Sequence, residues 1–128
     1  MGTAAWIWER RRNWSDCDGD IEKAFGKEHL CTTAALFWCT KTINSSLRLY
    51  HEHFKKSWPI VNDRIPVLSA PTGLAVFPKD VVHLPKKVLE PHCNLHHYAV
   101  LSKGGHFGPA EVPGELVEEI RKFFVPLI

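Results

Sequence analysis

Residues 71–77 read PTGLAVF, and this short stretch indicates the fold class. It is an almost uninterrupted apolar run, the pattern of a strand that is covered on both faces in a parallel sheet. Pro78 ends the run, so Lys79 and Asp80 fall on a loop at its carboxyl end. We therefore predict a strand buried on both faces, in a protein of the α/β class.

A second strand with a similar ending follows along the chain. We predict a short helix over 85–89, a strand over 94–101 and an amphipathic helix over 114–124. The apolar residues of that last helix recur at helical spacing and need a sheet to cover: Leu116, Val117, Ile120, Phe123 and Phe124. The order strand, helix, strand, helix is typical of a parallel crossover.

The first part of the chain has a different character. Apolar spacing predicts helices over about 3–13, 28–40 and 44–55. The composition changes near Trp58-Pro59, beyond which prolines, glycines and β-branched residues alternate. We therefore divide the chain into a helical part, residues 1–58, and a strand-containing part, residues 59–128.

Composition excludes some classes of function. The chain has 128 residues, with 16 basic against 14 acidic side chains, a net charge of +2. This charge is too small to predict a nucleic-acid partner, and Arg10-Arg11-Arg12 is interpreted as a solvated helix face. The sequence shows no signal peptide and no apolar run of about 18 residues, so we expect a cytoplasmic protein.

The cysteines give no sign of a metal site. The four cysteines form no C-x-x-C pair, and Cys31 and Cys39 are predicted to be small buried side chains of a helix. Cys93 lies near His96 and His97, but adjacent strand residues point to opposite faces. We expect no metal and no cofactor.

Chemistry is predicted where the two strands end. Gly104-Gly105-His106-Phe107 follows the second strand as Asp80 follows the first. Adjacent parallel strands lie about 4.8 Å apart, so the side chains of Asp80 and His106 can meet. A carboxylate that accepts from one ring nitrogen fixes the histidine tautomer and stabilises the imidazolium. The alternative is a turn-capping aspartate and a surface histidine.

Four short motifs mark the strand-containing part of the chain: Phe77-Pro78-Lys79-Asp80, Gly104-Gly105-His106-Phe107, Glu111-Val112-Pro113 and Ile120-Arg121-Lys122-Phe123-Phe124. Together they resemble the C-terminal third of microsomal-type epoxide hydrolases, which have the α/β-hydrolase fold. Upstream, residues 14–20 and 42–50 resemble the lid of that family. The resemblance implies that residues 1–58 are a lid portion and residues 59–128 the C-terminal portion of a core.

The resemblance also implies a mechanism. In the family an aspartate attacks the epoxide carbon to form an ester, lid tyrosines donate hydrogen bonds to the opening oxygen, and a histidine oriented by an acid activates water. His106 is then the general base, Asp80 the orienting acid and Tyr50 the donor to the epoxide oxygen. A phenol with a pKa near 10 stays protonated at neutral pH and can donate. The substrates implied are a hydrophobic epoxide and water.

Parts of the family pattern are absent from the sequence. We find neither the nucleophilic aspartate nor the His-Gly-x-Pro motif, and Tyr98 falls in a predicted strand instead of serving as a second lid tyrosine. We therefore expect the chain alone to be inactive. It would need an N-terminal half as a partner, or would form homo-oligomers because two strands leave apolar surface exposed.

Three alternatives stay open at this point. The chain could belong to another α/β-hydrolase, a haloalkane dehalogenase or an esterase, which the missing nucleophile would distinguish. It could also be a truncated paralogue that acts as an interaction module through an open sheet edge. The location would be the endoplasmic reticulum membrane if the full-length protein carried an N-terminal anchor.

Overall fold

The computed structural model of the chain describes residues 1–55, 66–83 and 85–128. The elements are, in order, α1 (Gly2–Trp14), α2 (Lys27–Cys39), α3 (Ile43–Lys55), β1 (Leu68–Val76), α4 (Lys86–Leu89), β2 (Cys93–Val100), α5 (Gly108–Glu111) and α6 (Pro113–Phe124). Short 3-10 turns lie at Ile21–Lys23 and Val125–Leu127. The predicted α/β order is confirmed, while α5 was not predicted. The division at Trp58-Pro59 lies outside the described residues and stays a prediction.

The two strands pair in parallel, as the sequence predicts. Gly73 lies opposite His97, and Val76 lies opposite Val100. Within the described ranges the sheet has these two strands. Pairing resumes past the strand ends as a parallel bridge between Lys79 and Gly105, where the Lys79 N–H donates to the Gly104 carbonyl at 3.0 Å. The residues that follow this bridge, 80 and 106, are therefore neighbours.

Burial of β1 on both faces is wrong for its first half. Leu68 is 56% exposed and Pro71 is exposed as well, whereas Thr72 and residues 74–76 are half-buried. One face is covered where the Phe123 ring of α6 packs directly on Gly73, so that a Cβ on this glycine would lie 2.8 Å from the ring. In the described part of the chain β1 has one neighbouring strand, and side chains beyond that contact stay exposed.

The helices of the first part pack around a small apolar centre. Ile7 of α1 and Leu30 of α2 are buried, and the Trp8 indole N–H donates to the Leu30 carbonyl at 3.0 Å. Cys31 and Cys39 are exposed, so their predicted burial is wrong. Successive helix residues are rotated by about 100°, which turns both thiols away from the face that carries Leu30. No helix of the described ranges is long and apolar enough to cross a membrane.

A cluster of three polar side chains links α6 to β2. The Glu119 carboxylate lies 2.8 Å from His97 Nε2 and accepts from Lys122 Nζ at 2.6 Å. The Lys122 hydrogen bond, followed by that of His97, lowers the pKa of Glu119 from its usual 4.5. The folded state thus favours the ionised carboxylate more than the unfolded chain does. The resulting stabilisation is present above pH 4.5 and is lost as the pH falls through the lowered pKa.

We expect Glu119→Gln to lower the urea midpoint of unfolding at neutral pH. Below pH 4.5, the midpoint of this variant should fall less steeply with pH than the midpoint of the native chain. Urea titrations across the acid range measure both effects. Glu118→Gln is the matched control, because Glu118 is exposed and its carboxylate accepts from the Arg121 guanidinium on the surface of α6. Parallel pH curves for the native chain and Glu119→Gln would contradict the prediction.

Candidate active site

Asp80 lies in the turn that closes β1. Its N–H donates to the Phe77 carbonyl at 3.2 Å, and its Oδ1 accepts from the Val81 N–H at 2.7 Å. The proline at 78 ends the strand and lets the chain turn at its carboxyl end. The Asp80 carboxylate is thereby fixed at the edge of the sheet beyond both strands.

His106 faces that carboxylate. Its Nδ1 lies 2.9 Å from Asp80 Oδ1, so the expected contact between the two side chains is present. An ionised carboxylate can only accept, and Nδ1 must therefore carry the proton. In the neutral imidazole this leaves Nε2 with a free lone pair. The His106 side chain is 42% exposed, so water can reach the ring.

Two aromatic rings and one carbonyl hold the histidine from the other side. The Trp14 and Phe107 rings both stand edge-on to the imidazole with centroids 5.2 Å away. The His106 N–H donates to the Trp14 carbonyl at 2.8 Å. Residue 14 belongs to the family-like stretch 14–20, but no sequence pattern predicts its contact with residue 106.

The glycines before His106 are required for different reasons. Gly104 has φ +103, a conformation that side chains disfavour. At Gly105 the backbone of residues 14–16 passes so closely that an added Cβ would lie 2.6 Å from the Trp14 carbonyl oxygen. The positive φ therefore explains the glycine at 104, whereas Gly105 permits a close approach of two chain segments.

Tyr50 and His106 line the same cleft. Its volume is about 230 Å³, and it is bounded by Trp6, Ile7, Arg10, Arg11, Trp14, Thr33, Phe37, Tyr50, His106 and Phe107. The Tyr50 ring stands edge-on to Trp6 with centroids 5.7 Å apart. The structure thus brings together the three residues predicted to be catalytic. Asp80 and His106 are in contact, and Tyr50 lines the same aromatic cleft as His106. Their catalytic roles stay predictions.

The basic run of α1 is not uniformly solvated. The Arg11 guanidinium lies 4.5 Å from the centre of the Phe107 ring and 5.0 Å from that of Phe25. Burial lowers the pKa of Arg11, and the charge of Glu111 opposes that shift. The interpretation of the run as a solvated helix face is therefore wrong for Arg11, because the loop after β2 covers it.

No metal site emerges in the ranges that the structure describes. They contain no group of three or more histidine, cysteine, aspartate or glutamate side chains arranged to hold an ion. His97 contacts Glu119, and His96 contacts Asn94 at 3.1 Å. These histidines therefore have structural partners on the sheet and on α6.

Comparison with known proteins gives a consistent result. No family model matches the chain. Epoxide hydrolase 1 of Sus scrofa is 35% identical over 130 residues, which cover 96% of this chain and 29% of that protein. The structure of juvenile hormone epoxide hydrolase from Bombyx mori superposes with a TM-score of 0.76 and 25% identity, covering 99% of this chain and 35% of that one.

A fungal enzyme shows the same architecture. An enantioselective mutant of epoxide hydrolase from Aspergillus niger superposes with a TM-score of 0.75 and 26% identity, covering 97% of this chain and 30% of that one. This chain therefore spans about three-tenths of the length of the relatives it matches. By sequence and by structure it belongs to the epoxide hydrolases of α/β-hydrolase fold, as a C-terminal part of such a protein.

Proposed function

We propose that this chain supplies the water-activating part of an epoxide hydrolase that converts hydrophobic epoxides to vicinal diols. The observation that carries the proposal is the 2.9 Å contact between His106 Nδ1 and Asp80 Oδ1 at the carboxyl ends of two parallel strands. That is the edge of an open parallel sheet at which catalytic groups gather. Nε2 is left free to accept a proton.

The proposed reaction has two steps. An aspartate outside this chain attacks an epoxide carbon, and the Tyr50 hydroxyl donates a hydrogen bond to the oxygen as the ring opens. The epoxide C–O bond breaks, the freed oxygen takes up a proton from solvent, and the product is a glycol ester of that aspartate. His106 Nε2 then takes a proton from water, whose oxygen attacks the ester carbonyl. As the ester C–O bond breaks, the imidazolium returns that proton to the leaving glycol oxygen, the diol departs, and the regenerated aspartate carboxyl group loses its proton to solvent. Asp80 stabilises the imidazolium that this transfer creates.

The cleft supports a hydrophobic substrate. Its walls carry the aromatic rings of Trp6, Trp14, Phe37 and Phe107 between Tyr50 and His106. Aromatic and aliphatic walls with few polar groups bind apolar molecules, while the polar groups set their orientation. The epoxide oxygen would face Tyr50, whose hydroxyl can stabilise developing negative charge.

A chimera tests the proposal. This chain replaces the matched 130 residues of the Sus scrofa relative, which contributes the rest of its own sequence. We expect the chimera to convert an aryl epoxide to the diol, and the 128-residue chain alone to do so no faster than buffer. A folded chimera without diol formation would reject the proposal and leave an interaction module as the better hypothesis.

We expect Tyr50→Phe to slow ester formation in the chimera about a hundredfold, since one hydrogen-bond donor to the developing oxyanion is removed. The phenylalanine ring keeps the edge-on contact with Trp6. Single-turnover measurement of ester formation tests the step directly. Tyr98→Phe, on β2, is the control and should leave the rate unchanged. An equal rate for Tyr50→Phe and the native sequence would remove Tyr50 from the mechanism.

A further inference from the structure

The loop that carries His106 is held at each of its backbone N–H groups. We call residues 104–107 the histidine loop; the donors are Gly104, Gly105, His106 and Phe107. Their acceptors lie 3.0, 2.9, 2.8 and 2.9 Å away, respectively. Each of the four acceptors comes from outside the loop. Backbone donors that are withdrawn from water need such partners, so these acceptors determine where the loop sits.

Glu111 supplies two of the four acceptors. Its Oε2 accepts from the Gly105 N–H and its Oε1 from the Phe107 N–H, both at 2.9 Å. These two donors flank His106. One carboxylate therefore fixes the backbone on both sides of the residue that carries the ring.

The other two acceptors come from the far end of the chain. Asp16 Oδ2 accepts from the Gly104 N–H at 3.0 Å, and the Trp14 carbonyl accepts from the His106 N–H. Glu111 Oε2 also accepts from the Asp16 N–H at 2.8 Å, so the two carboxylates form one connected group. We call Asp16 and Glu111 the carboxylate clamp.

We propose that Glu111, assisted by Asp16, is a positioning residue that places His106 against Asp80. The proposal rests on the proposed function in treating His106 as the general base. The ring contact of 2.9 Å depends on where the histidine loop lies relative to the turn after β1, to which the loop is joined by the hydrogen bond from the Lys79 N–H to the Gly104 carbonyl. A displacement of about 1 Å in a catalytic group can cost on the order of a hundredfold in rate.

The chemistry of the carboxylate explains why an amide would not serve. An ionised carboxylate has two acceptor oxygens and no donor, which matches the three N–H groups that converge on Glu111. Glu111→Gln keeps the shape but places an NH₂ group where one oxygen stood. That group faces a backbone donor, so at least one N–H of the clamp loses its acceptor.

The test uses the 128-residue chain. Residue-resolved amide exchange compares the native chain with Glu111→Gln. We expect exchange at Gly105 or Phe107 to accelerate on the order of ten- to hundredfold, the effect of one charge-assisted hydrogen bond. Exchange at Leu101, which donates to the Val76 carbonyl next to the strands, should not change.

A second measurement reports on the histidine itself. Nitrogen chemical shifts of the His106 ring should show the Nδ1-protonated tautomer in the native chain and a mixture of tautomers in Glu111→Gln. A residue that merely stabilised the fold would not alter this signal selectively. Asp16→Asn is the milder second variant, and it should accelerate exchange at Gly104 while leaving Phe107 unchanged.

Glu115→Gln is the matched control. Glu115 carries the same charge and lies near the same loop, but it contacts the side chains of Ser102 and Lys103. It should change neither exchange in the histidine loop nor the His106 tautomer. Unchanged exchange in Glu111→Gln, an unchanged tautomer, or acceleration that extends equally to Leu101 would each overturn the positioning role.

These measurements need no epoxide, so they separate this inference from the proposed function. If the clamp variants behave as expected and the chimera makes no diol, the proposed function fails and the placement of His106 stands. If the chimera is active, Glu111→Gln should lower kcat on the order of ten- to hundredfold with little change in KM. An active chimera with unchanged kcat in Glu111→Gln would overturn the positioning role alone.

Discussion

His106→Ala in the chimera should form diol roughly a thousandfold more slowly than the unaltered chimera, because general-base catalysis of ester hydrolysis is lost. Ester formation does not require the imidazole. We therefore expect one equivalent of epoxide to be consumed rapidly and to remain attached to the protein. Intact-mass measurement after brief mixing detects this adduct, which should persist in His106→Ala after the unaltered chimera has consumed its substrate and hydrolysed its own ester.

The control for this experiment is another exposed histidine. His96 lies on β2 and its ring is hydrogen-bonded to the side chain of Asn94, away from Asp80, so His96→Ala should retain full turnover. If His106→Ala turned over at the native rate, His106 would not be the base. Equal slowing of ester formation and of ester hydrolysis would instead indicate a general disturbance of the site.

Gly105→Ala should have the second largest effect. The added Cβ would lie 2.6 Å from the Trp14 carbonyl oxygen, 2.8 Å from Ser15 Cα and 3.0 Å from the Asp16 nitrogen. All three are backbone atoms, so no side-chain rotation relieves the overlap. We expect a loss of about 1–3 kcal/mol in the free energy of unfolding. Because the histidine loop must move, kcat in the chimera should also fall on the order of a hundredfold.

Gly114→Ala is the matched control for that substitution. Gly114 lies at the start of α6, and a Cβ there would meet nothing within 4 Å. Alanine has the higher helix propensity, so this variant should be neutral or more stable by less than about 1 kcal/mol. Urea unfolding of both variants measures the difference. If the Gly105→Ala chain were as stable and active as Gly114→Ala, the histidine loop and residues 14–16 could move apart without cost, and the prediction would be wrong.

The sequence predicted those features of the fold that follow from local patterns, and it predicted less well those that depend on how distant elements pack. The parallel pairing of 68–76 with 93–100 follows from two apolar runs and the helix between them. The meeting of Asp80 and His106 follows as well, because parallel strands end at one edge of their sheet. By contrast, the exposure of Cys31 depends on which face of α2 meets α1, and apolar spacing predicted that face only in part.

The sequence by itself determined which polar side chains reach the strand ends, since a polar residue that follows an apolar run must lie at the carboxyl edge. Tertiary structure alone decided what holds them there. Asp16 and Gly104 are 88 residues apart, and Glu111 and Asp16 are 95 apart. Such contacts leave no periodicity in a single chain, because backbone N–H groups are the same at every non-proline residue and only the folded path selects which carboxylate they reach.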